Sequence, residues 1–233
     1  MSRGLGDVYK RQDKKQYEIA DFRARGMNYA NAIGIIVETE FMSRVLAFDT
    51  WQERWGNTDR VLTEEQNESV AMQTFSGLDL TKRIVEGQAG IDGMTAAKRC
   101  WNYQKGGLQW YLPCLMELGV LCAYRDEINK AMKEIGCPDE CLLPTEDSDE
   151  TWVWSSSENS QGSSWYVYFS NGYFSNNIKC YSGMVRAVAA FQPSPSLLTG
   201  EAKSNDCLHS DEALINMLRE RGYKGELTKT LTI

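Results

Sequence analysis

The stretch Trp154–Phe191 reads WSSSENSQGSSWYVYFSNGYFSNNIKCYSGMVRAVAAF, a polar run between two apolar ends. Of the 29 residues from Ser155 to Gly183, 20 are Ser, Asn, Gly or Tyr, and only Glu158 and Lys179 are charged. Tyr supplies rigid amphipathic contact area, and Ser, Gly and Asn supply adaptable hydrogen bonding. The composition is typical of a recognition surface. A disordered linker would not carry Trp-Tyr-Val-Tyr-Phe in its middle.

The same stretch alternates with the period of a β-strand. Trp165, Val167 and Phe169 alternate with Tyr166 and Tyr168, so we expect the first set to pack inward and the two tyrosines to face solvent. The turn signal Ser170-Asn171-Gly172 then predicts a hairpin, with 173–179 as the returning strand.

The apolar run Val185–Phe191 is interpreted as a strand buried on both faces. Arg186 lies inside it and needs a partner, because an unpaired buried charge is costly. Glu158 is the nearest acidic residue, so the sequence predicts a Glu158–Arg186 pair. Trp154 belongs to a further strand, predicted over 152–155.

Upstream, two apolar runs, Ala32–Glu38 and Arg44–Asp49, predict an antiparallel pair of strands. Trp51 and Trp55 follow at helical spacing and are expected to pack in the core. The segment 57–93 is interpreted as rich in loops because glycines punctuate it.

Two helices are predicted further along the chain. One is short, over 94–103, and the other runs from Pro113 to a stop at Gly136. Glu117 is interpreted as a helix cap or a helix-surface charge rather than as a catalytic acid. With the strands above, this pattern predicts an α+β fold.

The amino-acid composition argues against some classes of function. A formal net charge of −7 argues against nucleic-acid binding, and 42% hydrophobic content is that of a folded protein. No apolar run is long enough to span a membrane. No cofactor is predicted.

The cysteines give no established site. Cys137-Pro-Asp-Glu-Cys141 has the spacing of half a zinc site, but no second pair follows and His209 is the only histidine. Reduced, mostly buried thiols are the default expectation, and one disulfide stays open. The acidic run 146–150 is interpreted as a solvated turn rather than a calcium loop.

The ends of the chain are interpreted separately from the domain. Asp-Val-Tyr-Lys-Arg-Gln at 7–12 resembles the translation of a sequencing adapter, so residues 1–12 are expected to be an assembly artefact and the native N-terminus to be missing. Residues 13–31 are predicted to be a connector, 192–206 a linker, and 207–233 a small helix–strand tail.

Several motifs together resemble a known family. Trp110-Tyr-Leu-Pro113, Trp154-Ser-Ser-Ser-Glu158, Trp165, Phe169, Asn171-Gly172 and Val185-Arg-Ala-Val188 resemble C-type-lectin-fold domains related to the formylglycine-generating (sulfatase-modifying) family. The resemblance covers 32–191 and implies a C-type lectin fold. Trp154, Glu158, Trp165, Phe169, Gly172 and Arg186 would be its structural residues.

The resemblance extends to the variable proteins of diversity-generating retroelements in gut bacteria and their phages. In these proteins an error-prone copying step changes adenines, chiefly in Asn codons, so that exposed positions vary over a fixed frame. The resemblance implies a variable segment at about 159–183. The predicted ligand-binding residues are Asn159, Ser160, Gly162, Ser163, Ser164, Tyr166, Tyr168, Tyr173, Phe174, Ser175, Asn176, Asn177, Ile178, Cys180, Tyr181 and Ser182.

Three functions are weighed. The first is a phage receptor-binding protein or cell-surface adhesin, on a phage tail or a bacterial surface, that binds a cell-surface protein or glycan. The second is a structural surface or virion protein of the same fold without diversification. The third, a formylglycine-generating-type enzyme, is disfavoured because the sequence shows no redox-active cysteine pair.

Overall fold

A computed structural model describes residues 7–10, 15–57, 60–64, 66–90, 92–146 and 151–191. Its centre is a nine-stranded sheet in the order β2-β1-β3-β4-β9-β6-β7-β8, with β5 paired to β9. The strands are β1 Asp7–Lys10, β2 Gln16–Tyr17, β3 Ala32–Glu38, β4 Ser43–Arg54, β5 Trp110–Tyr111, β6 Trp152–Glu158, β7 Ser163–Tyr168, β8 Phe174–Ile178 and β9 Ser182–Ala190.

Short helices pack on this sheet. They are α1 Ile19–Ala24, α2 Glu68–Ala71, α3 Gly77–Gly87, α4 Ala96–Trp101, α5 Leu115–Ala123 and α6 Arg125–Glu134, with 3₁₀ turns at Tyr29–Asn31, Lys105–Gly107 and Asp139–Cys141. The strand pairs are antiparallel except β6–β9, which is parallel. A mostly antiparallel sheet with few, short helices agrees with the predicted α+β class.

The predicted pairing of the two upstream runs is confirmed. β3 and β4 are antiparallel neighbours, with Ile35 opposite Leu46. Gly34 is required there, because a Cβ at this position would lie 2.3 Å from the carbonyl oxygen of Leu46. The close approach of two backbones therefore accounts for a glycine inside an otherwise β-branched strand.

Apolar side chains fill both faces of the sheet. One core contains Val153, Trp165 and Val167 and is covered by α5 and α6. The other contains Trp55, Trp110 and Trp154 with Ile84 of α3 and Ala97 of α4. Strands β6 and β7 therefore have an apolar layer on each face, as in a three-layer arrangement.

Two local predictions upstream of the site are corrected. Trp51 lies inside β4 and Trp55 just after it, so their spacing of four is not a helical turn, although Trp55 packs in the core as expected. The segment 57–93, interpreted as rich in loops, contains the helix α3, whose ends lie at Gly77 and Gly87, where glycine is tolerated.

The single helix predicted after Pro113 is two helices that meet at Tyr124. Almost every residue of α5 is buried, whereas α6 has one buried stripe and one polar face. A change of axis lets α5 lie inside the core while α6 keeps its charged face in water. The predicted stop at Gly136 is confirmed, with φ 79°.

The expectation for the N-terminal end of the chain can be compared with the structure, whereas that for the C-terminal end cannot. Asp7–Lys10, excluded from the fold at the sequence level, forms β1 beside β3, with Val8 fully buried opposite Ile35. The predicted linker 192–206 and tail 207–233 lie outside the described residues, as does most of the acidic run at 147–150.

Candidate ligand-binding surface

The hairpin β7–β8 carries most of the predicted ligand-binding residues. Tyr168 N–H donates to Tyr173 O at 2.9 Å, and Gly172 N–H donates to Tyr168 O at 2.8 Å. Gly172 has φ 72°, a left-handed conformation that glycine adopts without strain. The predicted turn and the returning strand are confirmed, and β8 lies at one end of the strand order.

The predicted inward frame is also confirmed. Trp165, Val167 and Phe169 are buried on the α5 side of the sheet. Trp165 Nε1 donates to Gln66 O at 2.7 Å, which ties β7 to the segment before α2. Trp154 is fully buried on the opposite side.

The prediction that Tyr166 faces solvent is wrong. Tyr166 is 7% exposed, and its ring lies 4.8 Å from that of Trp152 and 6.2 Å from that of Trp154. Ser164, also predicted to contact ligand, is buried. Alternation was correct about the two faces. It could not show that a second apolar layer covers the tyrosine face at this point.

The row of aromatic rings continues from this core to the surface. Tyr166 contacts Tyr168, which is half-buried, and Tyr168 stacks on Tyr173 at a centroid distance of 6.4 Å and an interplanar angle of 28°. Tyr173 is 55% exposed. The strand register places Ser175 and Asn177 on the same face as Tyr173.

The remaining predicted positions reach solvent to different degrees. Those exposed are Tyr173, Asn176, Ile178, Cys180, Tyr181 and Ser182. Those half-buried are Asn159, Ser160, Gly162, Ser163, Tyr168, Phe174, Ser175 and Asn177. Phe174 packs toward α5, since a Cβ on Gly119 would lie 3.3 Å from its ring. The structure thus leaves fourteen of the sixteen predicted positions exposed or half-buried, distributed over both faces of β8 and its flanking loops.

The predicted Glu158–Arg186 pair is wrong. Glu158 is fully buried and accepts hydrogen bonds from Lys179 Nζ at 2.5 Å, Leu62 N–H at 3.0 Å and Thr63 Oγ1 at 2.6 Å. Glu158 ends β6, where the segment 60–64 and Lys179 supply its donors. A buried carboxylate is therefore matched by an ammonium ion and by several donors.

Lys179 is the other member of this buried ion pair, which we call the Glu158–Lys179 brace. Its Nζ also donates to Gln161 O at 2.7 Å and Arg60 O at 3.2 Å, and lies 4.9 Å from the ring centroid of Trp55. The two charged residues of the polar stretch are consequently internal. The surface above them is uncharged over Asn159–Ile178.

Arg186 has different partners. Its guanidinium donates to Phe48 O at 3.1 Å and to Cys141 O at 2.6 Å. Burial lowers the pKa of Arg186 to about 10. Its Nε has no hydrogen-bond partner among the described residues.

Glu117 is a buried helix cap. Its carboxylate accepts from Cys114 N–H at 3.0 Å, from Arg44 Nε at 2.8 Å and from the Tyr111 hydroxyl at 2.8 Å. The cap interpretation is confirmed, although the side chain is not on the helix surface. Its donors hold β4, β5 and the start of α5 together.

The chain was compared with known families, curated proteins and solved structures. No family model matches the sequence, and no curated protein matches it. A solved structure, that of a fimbrial protein from Bacteroides ovatus, superposes with a TM-score of 0.56 at 14% sequence identity. The match covers 80% of this chain and 48% of that one, so this chain spans about half the length of the fimbrial protein. At this identity the likeness shows a shared fold.

Sequence reasoning missed the long-range contact at Cys141. Cys137 is buried and Cys141 is half-buried, and Arg186 Nη2 donates to the Cys141 carbonyl at 2.6 Å. The spacing of the two cysteines, interpreted as half of a metal site, gave no signal of this contact. Within the described ranges no helix has the length and apolar character needed to cross a membrane.

Proposed function

We propose that this chain is a ligand-binding protein displayed on a bacterial or virion surface, and that its contact surface is the solvent-facing part of 159–182. One observation carries the proposal. Of the six exposed large apolar side chains in the described residues, three belong to the edge strand β8 and its ends: Tyr173 just before it, Ile178 at its last position on the opposite face, and Tyr181 just beyond it. Exposed apolar residues concentrated in one short segment mark an interaction site, whereas scattered single ones need no explanation.

The construction of the hairpin supports the same proposal. Buried Trp165 and Val167 and the Glu158–Lys179 brace fix the backbone, while Ser, Asn and Tyr side chains present an uncharged, hydrogen-bonding surface. A rigid frame with tyrosine anchors reduces the entropy lost on binding. The site thus has the physical properties of a recognition surface, and no catalytic role is proposed for it.

The comparison supports surface display. One protein with a similar fold is a fimbrial protein, and fimbriae are bacterial surface structures. We place the present chain in a similar setting, as an adhesin or a phage receptor-binding protein. Its partner in this proposal is a cell-surface protein or glycan.

The finer proposal is that this surface is diversified. The chain resembles C-type-lectin-fold variable proteins of diversity-generating retroelements, and fourteen of the sixteen positions open to adenine mutation are exposed or half-buried. Fixed positions such as Trp165, Val167 and Phe169 are buried between them. Variation at the exposed positions would leave the frame intact.

A second candidate is a surface or virion protein of the same fold that is not diversified. Ser164 and Tyr166 favour it, because both are buried and free variation there would disturb the core. The neighbouring DNA separates the two candidates. A reverse-transcriptase gene and a near-repeat differing only at adenines support diversification, and their absence from the complete locus removes it.

Binding is tested with fluorescently labelled protein and a panel of gut bacterial isolates, scored by flow cytometry. The triple variant Tyr173→Ser, Ile178→Ser, Tyr181→Ser should lose attachment to any strain that the unmodified protein labels. The matched control replaces the other three exposed apolar residues, Val61, Val70 and Leu78, with Ser and should retain attachment. Equal attachment by both folded variants would remove the site assignment.

A further inference from the structure

The two edges of the sheet differ in how they are protected against pairing with another molecule. One edge is β2, which has only two residues and lies between the charged residues Lys15 and Glu18. Short edge strands and charged flanks prevent strands of two molecules from pairing. The other edge is β8, which has five residues, no charge and no proline, and pairs with β7 in a register without a bulge. In the part of the chain that the structure describes, β7 is its only strand neighbour.

The hydrogen bonds to β7 show which backbone groups of β8 face outward. Tyr168 N–H donates to Tyr173 O at 2.9 Å, and Lys179 N–H donates to Gly162 O at 3.0 Å. Because hydrogen-bonded residues alternate along an antiparallel strand, the odd-numbered residues of β8 bond to β7. The N–H and C=O groups of the even-numbered residues, with Asn176 at the centre, consequently point away from β7 at the edge of the sheet.

Local hydrogen bonds cap one end of this edge. Ile178 N–H donates to Asn177 Oδ1 at 2.8 Å, and Ile178 O accepts from Tyr181 N–H at 3.0 Å. A side-chain bond of this kind competes with strand pairing and can be exchanged for it, and a carbonyl oxygen accepts a second hydrogen bond. The local bonds at Ile178 therefore satisfy a single copy without preventing the addition of a strand.

Charge favours a second copy of this chain as the added strand. The formal net charge is −7, so two copies repel each other over most of their surface. The stretch 159–178 has no charged residue, and the two charges that flank it, Glu158 and Lys179, are buried as an ion pair. β8 is consequently a place where a second acidic copy can approach with little repulsion.

We propose that two copies of the chain pair β8 with β8, antiparallel about a twofold axis at Asn176. Only the register centred on Asn176 pairs all five residues of β8. Asn176 exchanges two backbone hydrogen bonds with Asn176 of the second copy, as in an isologous contact. Phe174 lies opposite Ile178 of the second copy on the same face of the sheet. Ile178, which is 44% exposed, thereby gains a neighbour that packs against the core.

This pairing goes beyond the proposed ligand-binding function, because it needs no ligand. It covers Ile178 on the α5 side of the sheet and leaves open the opposite face, on which Tyr168 and Tyr173 lie. The consequence for attachment rests on the proposed function. Two rows of tyrosine rings on one continuous sheet would contact a cell surface at two points, which raises avidity without any new contact in either copy.

Sedimentation velocity of the intact chain, from micromolar to millimolar concentration, tests the pairing. The unmodified protein should show a dimer whose fraction rises with concentration. The variant Asn176→Pro removes an N–H that points away from β7, and proline is tolerated at such positions of an edge strand. This variant should retain the circular dichroism spectrum of the unmodified protein and lose the dimer at every concentration.

Charge at the twofold axis tests the register without proline. Asn176→Lys and Asn176→Asp each place like charges directly opposite each other in a homodimer, so each variant alone should be monomeric. An equal mixture of the two should form a mixed dimer, which native mass spectrometry resolves by mass. The matched controls are Asn102→Lys and Asn102→Asp, at the exposed end of α4. They should dimerise as the unmodified protein does, with no preference for mixed pairs.

Three results overturn the proposal. The first is a monomer at every concentration, whether or not the edge receives a strand from another protein. The second is a dimer that Asn176→Pro leaves unchanged, and the third is a dimer in which the two charged variants of Asn176 show no preference for each other. Both of the latter place the interface elsewhere. None of these measurements uses cells, so a failure of the pairing is distinct from a failure of attachment.

Discussion

Lys179 Nζ lies 2.5 Å from Glu158 Oε1, and both side chains are fully buried beneath the most polar stretch of the chain. The pair joins the end of β6 to the residue that follows β8. Bonds from Thr63 and Leu62 to the same carboxylate add the segment before α2. The exposed hairpin is therefore anchored at its far end by charge rather than by apolar packing.

Removing one member of this pair should strongly destabilise the fold. Lys179→Met leaves an unmatched buried carboxylate and Glu158→Gln an unmatched ammonium, each expected to cost about 3–5 kcal/mol of unfolding free energy in urea titrations. The control is Arg83→Gln in the exposed Arg83–Glu64 pair, whose 3.7 Å contact should be worth about 0–1 kcal/mol. Losses no larger than the control's would show that the brace is not structural.

How far the sequence could predict this site depends on the range of the interaction. Alternation over Trp165–Phe169 and the Asn171-Gly172 signal identified the hairpin, because both are local properties. The partner of Glu158 was mispredicted because the prediction began from Arg186 and sought its nearest acid, although Lys179 lies only 21 positions from Glu158. The other donors, Leu62 and Thr63, come from about 95 positions away. Pairing across such a separation has no local signature.

The same distinction explains the error at Tyr166. Period-two alternation separates two faces but does not state whether each is covered. The second layer includes Ile84 of α3, from the segment 57–93 that was interpreted as loops, so its cover over Tyr166 was not predicted. The α+β class was predictable because strand and helix periods are local, whereas α3 was missed because glycines at its ends were interpreted as breakers.

Gly183 should be intolerant of any side chain. A Cβ there would lie 2.1 Å from the Trp152 ring, which must shift and disturb its contact with Tyr166. We expect Gly183→Ala to lower the free energy of unfolding by about 1–3 kcal/mol through overpacking and to change the tryptophan fluorescence. Gly162→Ala is the control, because nothing lies within 4 Å of its added Cβ. Equal stabilities for the two variants would refute the packing of Trp152 against Gly183.

The thiols should differ sharply in reactivity. Burial raises the pKa of Cys100 and Cys114 far above the ordinary value, so the thiolate fraction at pH 8 is very small and alkylation is slow. Cys180 is exposed and should be alkylated first in the folded protein. Timed labelling with iodoacetamide and peptide mass mapping measures the order. Rapid labelling of Cys100 without unfolding would contradict its burial.

Substitutions at the two ends of the row of rings Tyr166–Tyr168–Tyr173 should differ in their cost to the free energy of unfolding. Tyr166→Ser removes a buried ring from between Trp152 and Trp154 and is expected to cost about 3–5 kcal/mol, whereas Tyr173→Ser removes a mostly exposed ring and should stay within about 0.5 kcal/mol. The same codon type serves both positions in the proposed diversification, so urea denaturation of this matched pair measures which positions can vary without loss of fold. If Tyr166→Ser is tolerated as well as Tyr173→Ser, the second apolar layer contributes little there, and the binding surface extends inward to Trp152.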